Sequence, residues 1–148
     1  MASRDEIERV WRSYDAFNRR DLETFLDGFH PDAEWHPILA DLGGGVYRGH
    51  EGIRAMLEEI DETWDSFRIE LEKVHDAGER LLVFTRSRAR GKASGLETGL
   101  NAVTLIDLRD GRATRVWSYM SLEEALAAAG LEKLPAAAEV PDGYAERW

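Results

Sequence analysis

The sequence predicts an α+β domain in which amphipathic N-terminal helices pack into a curved antiparallel sheet. Three observations predict it. Apolar residues recur at helical spacing from Ile7 to Trp64. The period drops to about two after Ser66. Strand-like runs then follow one another with short turns between them, so that neighbours in sequence become neighbours in the sheet.

Each element has its own warrant. Ile7, Val10, Trp11, Tyr14 and Phe17 form one stripe of a 3.6-residue period, which Asn18-Arg19-Arg20 breaks. Asp21 is a good N-cap, and Leu22, Phe25, Leu26 and Phe29 repeat the helical pattern until His30-Pro31 ends it. Ala33 to His36 is a short strand closed by Pro37, and Leu42 to Val46 is a glycine-rich loop. Ile53, Met56, Leu57, Ile60 and Trp64 mark a third helix. Phe67, Ile69 and Leu71 alternate with charged residues as the first strand of the meander. Residues 81–90, 96–108 and 112–120 supply the next three, the last two joined by the hairpin signal Asp110-Gly111. Ser121-Leu122-Glu123-Glu124 is a capping box opening a short helix that Gly130 stops. Residues 1–134 are expected to form the domain and 135–148 an irregular tail, with Tyr144 and Trp148 apolar enough to dock on this subunit or a partner.

Composition narrows the function. The 148 residues hold one domain with a real core. A net charge of −10 repels phosphate backbones and anionic lipid, so neither nucleic acid nor a membrane surface is an expected partner. The chain has no cysteine, which removes disulfides, thiolate nucleophiles and zinc–cysteine sites together. The four histidines show no ligand spacing, so no metal is expected, and no phosphate loop, dinucleotide fingerprint or nucleophile elbow is present. The charged start lacks the apolar run of a signal peptide, and the expected location is cytoplasmic.

Several short motifs, in this order and spacing, carry a family resemblance. They are Tyr14-Asp15-Ala16-Phe17-Asn18 with Asp21-Leu22, Pro31-Asp32-Ala33-Glu34-Trp35, Tyr47-Arg48-Gly49 with Glu51-Gly52-Ile53, Gly91 with Ser94-Gly95, Asp110-Gly111-Arg112, and Glu124-Ala125-Leu126 running to Leu131. Over roughly residues 5 to 131 the chain resembles the SnoaL-like branch of the nuclear transport factor 2-like superfamily, related to ketosteroid isomerase and polyketide cyclases. The resemblance implies a cone-shaped α+β fold with a deep apolar pocket, and a homodimer commonly formed through the outer face of the sheet. It does not choose among the isomerases, cyclases, dehydratases and non-catalytic binders that share the fold.

The resemblance also assigns roles. Tyr14 matches the tyrosine that donates to the developing oxyanion in ketosteroid isomerase, although its place on the stripe fits plain core packing too. The isomerase's carboxylate base has no match, since the stretch here is Trp35-His36-Pro37. His36 can titrate near neutrality, but strand alternation turns it away if Trp35 faces the pocket. The second oxyanion donor is missing as well: Val103 and Thr104 occupy its neighbourhood, and threonine donates without being an acid.

Arg86, Arg88 and Arg90 share a strand face with Leu82 and Phe84. In relatives that face tends to look inward, which would let Arg86 hold an enolate or carboxylate. The alternative is a surface stripe paired with Glu70, Glu72 or Glu97. Trp35, Trp64, Phe84, Arg88, Thr104 and Trp117 are candidate pocket walls. From the last strand either Val116, Ser118 and Met120 or Arg115, Trp117 and Tyr119 face inward.

The expected function is small-molecule binding. In its catalytic form this is a cofactor-independent acid–base isomerase, cyclase or dehydratase acting on an apolar carbonyl compound, with Tyr14 assisted by His36 or Arg86. The alternative is a non-catalytic ligand-binding or dimerisation module. Two convergent polar groups in an open pocket favour the first, and a closed apolar interior favours the second.

Overall fold

Ser3 and Glu6 close a capping box ahead of α1 (Arg4–Arg19), each accepting the other's backbone N–H at 3.1 Å. A computed structural model describes residues 2–37, 45–141 and 144 of the chain. Of the expected loop and tail features, Leu42–Gly44, Asp142, Gly143 and Trp148 lie outside the described residues. Arg20, in the left-handed region, ends α1 by donating its backbone N–H to Ala16 and Phe17. Asp21 caps α2 (Leu22–Asp27), accepting from Thr24 N–H.

The second helix is shorter than its stripe predicts. Phe29 is not its last turn but the first residue of β1 (Phe29–His36), whose side chain still reaches the same core. β2 (Tyr47–Arg48) leads into α3 (Gly49–Thr63), and Trp64, expected on that helix, starts β3 (Trp64–Asp76). β4 (Arg80–Gly91), β5 (Glu97–Arg109) and β6 (Arg112–Tyr119) complete the meander, and α4 (Leu122–Ala129) follows.

The six strands form one curved, open sheet in the order β2-β1-β6-β5-β4-β3. The meander from β3 to β6 is antiparallel throughout, as expected. One pairing departs from the all-antiparallel expectation: β1 runs parallel to β6, with Trp35 opposite Val116. That ladder is interrupted between Phe29 and Glu34, the stretch holding Pro31, which has no N–H to contribute.

Both faces of the sheet are covered. On the concave side α1, α2 and α3 bury Trp11, Phe17, Phe25 and Ile53 against Leu71, Leu81, Val83, Ile106 and Val116. On the convex side α4 lays Leu122, Ala125 and Leu126 over Leu82, Val103 and Leu105. The tail, expected to be irregular, returns to the sheet. Ala137 bridges to His75, Ala138 N–H donates to Val74, and Tyr144 packs on Trp11.

The opposite end of the same edge strand has a different cover. Asn18 donates from its side-chain amide to the Ile69 carbonyl at 2.8 Å and accepts from the Ile69 N–H at 2.9 Å, taking the place of a seventh strand.

Candidate functional site

The concave face closes over a small cavity between α1, the start of β1 and the β5–β6 hairpin. Its volume is about 40 Å³, room for about one to three water molecules. The walls are mainly Val10, Phe17, Phe25, Phe29, Trp35 and Ile106, with Tyr14 and Val116 among them. Phe25, Phe29 and Trp35 touch one another with ring centroids 5.0–6.0 Å apart, so aromatic rings fill much of the hollow that the curved sheet encloses.

Tyr14 stands on the helix stripe that the sequence displays, and 8% of its surface is exposed. Burial pushes its phenol well above the ordinary tyrosine value, while the Thr104 side chain acts in the opposite direction. The phenol is therefore a neutral donor across the whole physiological range. Thr104 is buried on the concave face of β5, and its hydroxyl lies 3.1 Å from the Ser118 hydroxyl on β6. Three hydroxyls thus line up at the inner surface of the sheet. Val116 and Ser118 take the inward side of the last strand, whereas Met120, expected beside them as a pocket wall, lies just past the end of the strand and is 60% exposed.

The remaining candidates lie elsewhere, and each placement has a physical reason. Arg86 and Arg88 are on the convex face, where they pair with Glu72 at 3.3 Å and Glu70 at 3.5 Å. The inward expectation for Arg86 is thus corrected: the surface provides counter-ions and water, whereas Leu81 and Val83, on the opposite side of the same strand, enter the core. Phe84 follows the arginines to the convex face and packs against the His75 ring at 5.3 Å. Trp117 is convex as well, stacked flat on the His36 ring at 3.8 Å. His36, with only 8% exposure, accordingly faces away from the cavity, and its Nε2 meets Glu34 at 3.1 Å. Alternation along β1 accounts for this, since Trp35 faces in. Trp64 sits at the edge of the sheet beside Phe67.

The structure therefore brings Tyr14, Trp35, Thr104, Val116 and Ser118 to one face and separates them from His36, Arg86, Arg88, Phe84 and Trp117. Among the described residues lining the cavity none is a carboxylate or an imidazole, so no general base adjoins Tyr14 there. Two polar lining residues escaped the sequence reading: Arg9 and Ser13, four apart on the flank of the α1 stripe. Their spacing beside Val10, Tyr14 and Phe17 is the signal that would have found them.

The SnoaL-like domain family matches residues 10–116. No curated protein sequence matches the chain. Among solved structures, TerC co-crystallised with polyporic acid is 32% identical, with 85% of this chain and 96% of that one covered and a TM-score of 0.69. An NTF2-like protein of unknown function from Burkholderia pseudomallei K96243 is 27% identical, with 86% and 97% covered and a TM-score of 0.71. A polyketide cyclase-like protein from Xanthomonas campestris pv. campestris shares the fold at 22% identity, with 85% and 98% covered and a TM-score of 0.65.

Proposed function

From the premise that this chain belongs to the SnoaL-like domain family, within the NTF2-like superfamily, we propose that it is a small-molecule-binding domain. Its ligand is an apolar ring compound carrying a carbonyl oxygen. The rings of Phe25, Phe29 and Trp35 part to receive it, and Tyr14 donates to the oxygen. The observation that carries the proposal is the buried, neutral Tyr14 phenol, with the Thr104 side chain beside it, at the wall of an otherwise almost wholly apolar cavity. TerC, with its polyporic acid, an aryl-substituted quinone, supports the same ligand class.

Binding without proton transfer is the form this wall supports best, because the described lining offers donors and no base. A second reading rests on Tyr14 itself. A phenol held neutral in an apolar site can stabilise an enolate oxygen, so a base carried by the ligand would turn the binder into an isomerase or cyclase. The homodimer belongs to the same proposal. The convex strip of Glu70, Glu72, Arg86 and Arg88 carries alternating charges that a two-fold axis can set opposite their complements. No helix among the described residues is long and apolar enough to cross a membrane, and a cytoplasmic setting remains part of the proposal.

Acetophenone, titrated into ¹⁵N-labelled protein, tests the reading. Amide shifts centred on Trp35, Ala113 and Val116 are expected. Ala113→Leu, which fills the cavity, should abolish them, and Tyr14→Phe should weaken binding by about tenfold, the value of one hydrogen bond. Shifts absent from these residues, or unaltered by Ala113→Leu, refute the proposal.

A further inference from the structure

Arg9 is the only charged residue among the described residues lining the cavity. It stands where the cavity meets a wider recess outside, and Leu108 and Gly111 line both spaces with it. Its Nη1 donates to the Gly111 carbonyl at 2.9 Å, which ties α1 to the tip of the β5–β6 hairpin across the mouth. Gly111 has φ +77°, a backbone conformation that residues with a side chain adopt only under strain, so glycine suits this turn.

That bond uses one of the five N–H donors of a guanidinium. No carboxylate of the described residues lies within ion-pair distance of Arg9, whereas the convex arginines 80, 86, 88 and 90 all have one. A half-buried cation on an apolar wall, without a close counter-ion, sits in a chain that carries ten net negative charges. Asp5, Glu6, Glu79 and Asp110, with Arg109, line the recess outside. Glu6 is engaged by the backbone of Ser3, so the acidic rim neutralises Arg9 only at a distance.

We propose that Arg9 selects the ligand: the compound bound on the concave face carries an anionic oxygen, a carboxylate or an ionised enol, which seats on the free edge of the Arg9 guanidinium. This rests on the small-molecule reading above and adds the ligand's charge and orientation to it. Arg9 and Tyr14 are five residues apart on one helix, a rise of about 7.5 Å. A single ring with polar groups at its two ends spans a comparable length. The carbonyl then lies inside at Tyr14, the ring between Phe25, Phe29 and Trp35, and the charge at the mouth. An arginine suits this position because its fork holds two oxygens at once while Gly111 keeps its own bond.

The test uses a matched pair of probes, 4-acetylbenzoate and its neutral counterpart 4-acetylbenzamide, each titrated into the ¹⁵N-labelled full chain. The wild type should bind the carboxylate at least tenfold more tightly. Arg9→Gln should bring the ratio of the two affinities close to one, and Arg9→Lys, which keeps the charge, should retain part of the preference. Raising the salt concentration should shrink the wild-type ratio. Equal affinities in the wild type, or a preference that survives in Arg9→Gln, overturn the inference while leaving the small-molecule reading intact. Failure of both probes to shift the cavity amides removes that reading and the inference with it.

Discussion

Asn18 offers the sharpest test of how the edge of the sheet is held. β3 is the last strand in the order, and its outer side has no strand partner. At Ile69 the Asn18 amide supplies both a donor and an acceptor, at 2.8 and 2.9 Å, in a partly buried position. Asn18→Ala removes both bonds and leaves the Ile69 N–H and C=O facing a gap that water reaches only in part. At about 1 kcal/mol for each bond, the loss should be about 2 kcal/mol. For a chain of 148 residues that is a fall in Tm of about 4–8 °C. Asn18→Asp keeps the acceptor for the N–H but turns a second oxygen toward the carbonyl, so it should not recover the loss at neutral pH. Urea unfolding followed by tryptophan fluorescence gives the stability, and hydrogen exchange at the Ile69 amide gives the local effect. A loss below about 0.5 kcal/mol in Asn18→Ala, with Ile69 protected as in the wild type, refutes the reasoning.

Three further outcomes follow from the same geometry. Burial pushes the Glu34 carboxyl up, but the His36 bond and the charges of Arg48, Arg115 and His36 more than offset it, so it titrates below the ordinary carboxylate value. Its contribution is present above the unfolded pKa and lost as pH falls through the folded one, so the stability gap between the wild type and Glu34→Gln should close on acidification below about pH 4, as urea titrations at stepped pH would show. Truncation after Leu134 removes the Ala137 bridge, the Ala138 bond to Val74 and the Tyr144 contact with Trp11; proteolysis should then cut near Val74–Asp76, and an unchanged digestion pattern would mean that the tail holds nothing. Light scattering should report a dimer for the wild type and a shift toward monomer for Arg88→Glu, which sets like charges against Glu70; a wild-type monomer at tens of micromolar would rule out the convex-face dimer.

Much of the architecture was legible because each element had its own local signal. Ser66 marks the neighbourhood in which the helical period gives way to alternation, and Asp110-Gly111 marks the tight hairpin. The face of β4 was not legible. Leu81, Leu82 and Val83 are all fully buried, because α1 covers one side of the strand and α4 the other. Alternation says which residues share a face, but with both faces apolar it cannot say which one points into the cone. Arg86 and Phe84 followed the wrong choice for this reason.

β6 shows the same ambiguity, resolved only when Val116 meets the core and Trp117 meets His36. The parallel neighbour of β1 left no trace in sequence either, since pairing across so long a separation has no local signature. Tyr14 was found through the family resemblance, since its place on the helix stripe fits core packing equally well, and Trp35 was found as an aromatic residue on the short first strand. Arg9 was missed because it sits one residue off the stripe, where a charge reads as ordinary surface.

The parallel pairing of β1 with β6 has a consequence for how the chain is made. Trp35 meets Val116 only after roughly 80 further residues have been synthesised, a delay on the order of 4–16 s at translation speeds of ~5–20 residues/s. Through that interval Phe25, Phe29 and Trp35 have left the ribosome without the strand that shields them. The incomplete nascent chain, rather than the finished protein, is then the species most exposed to aggregation and most in need of a chaperone.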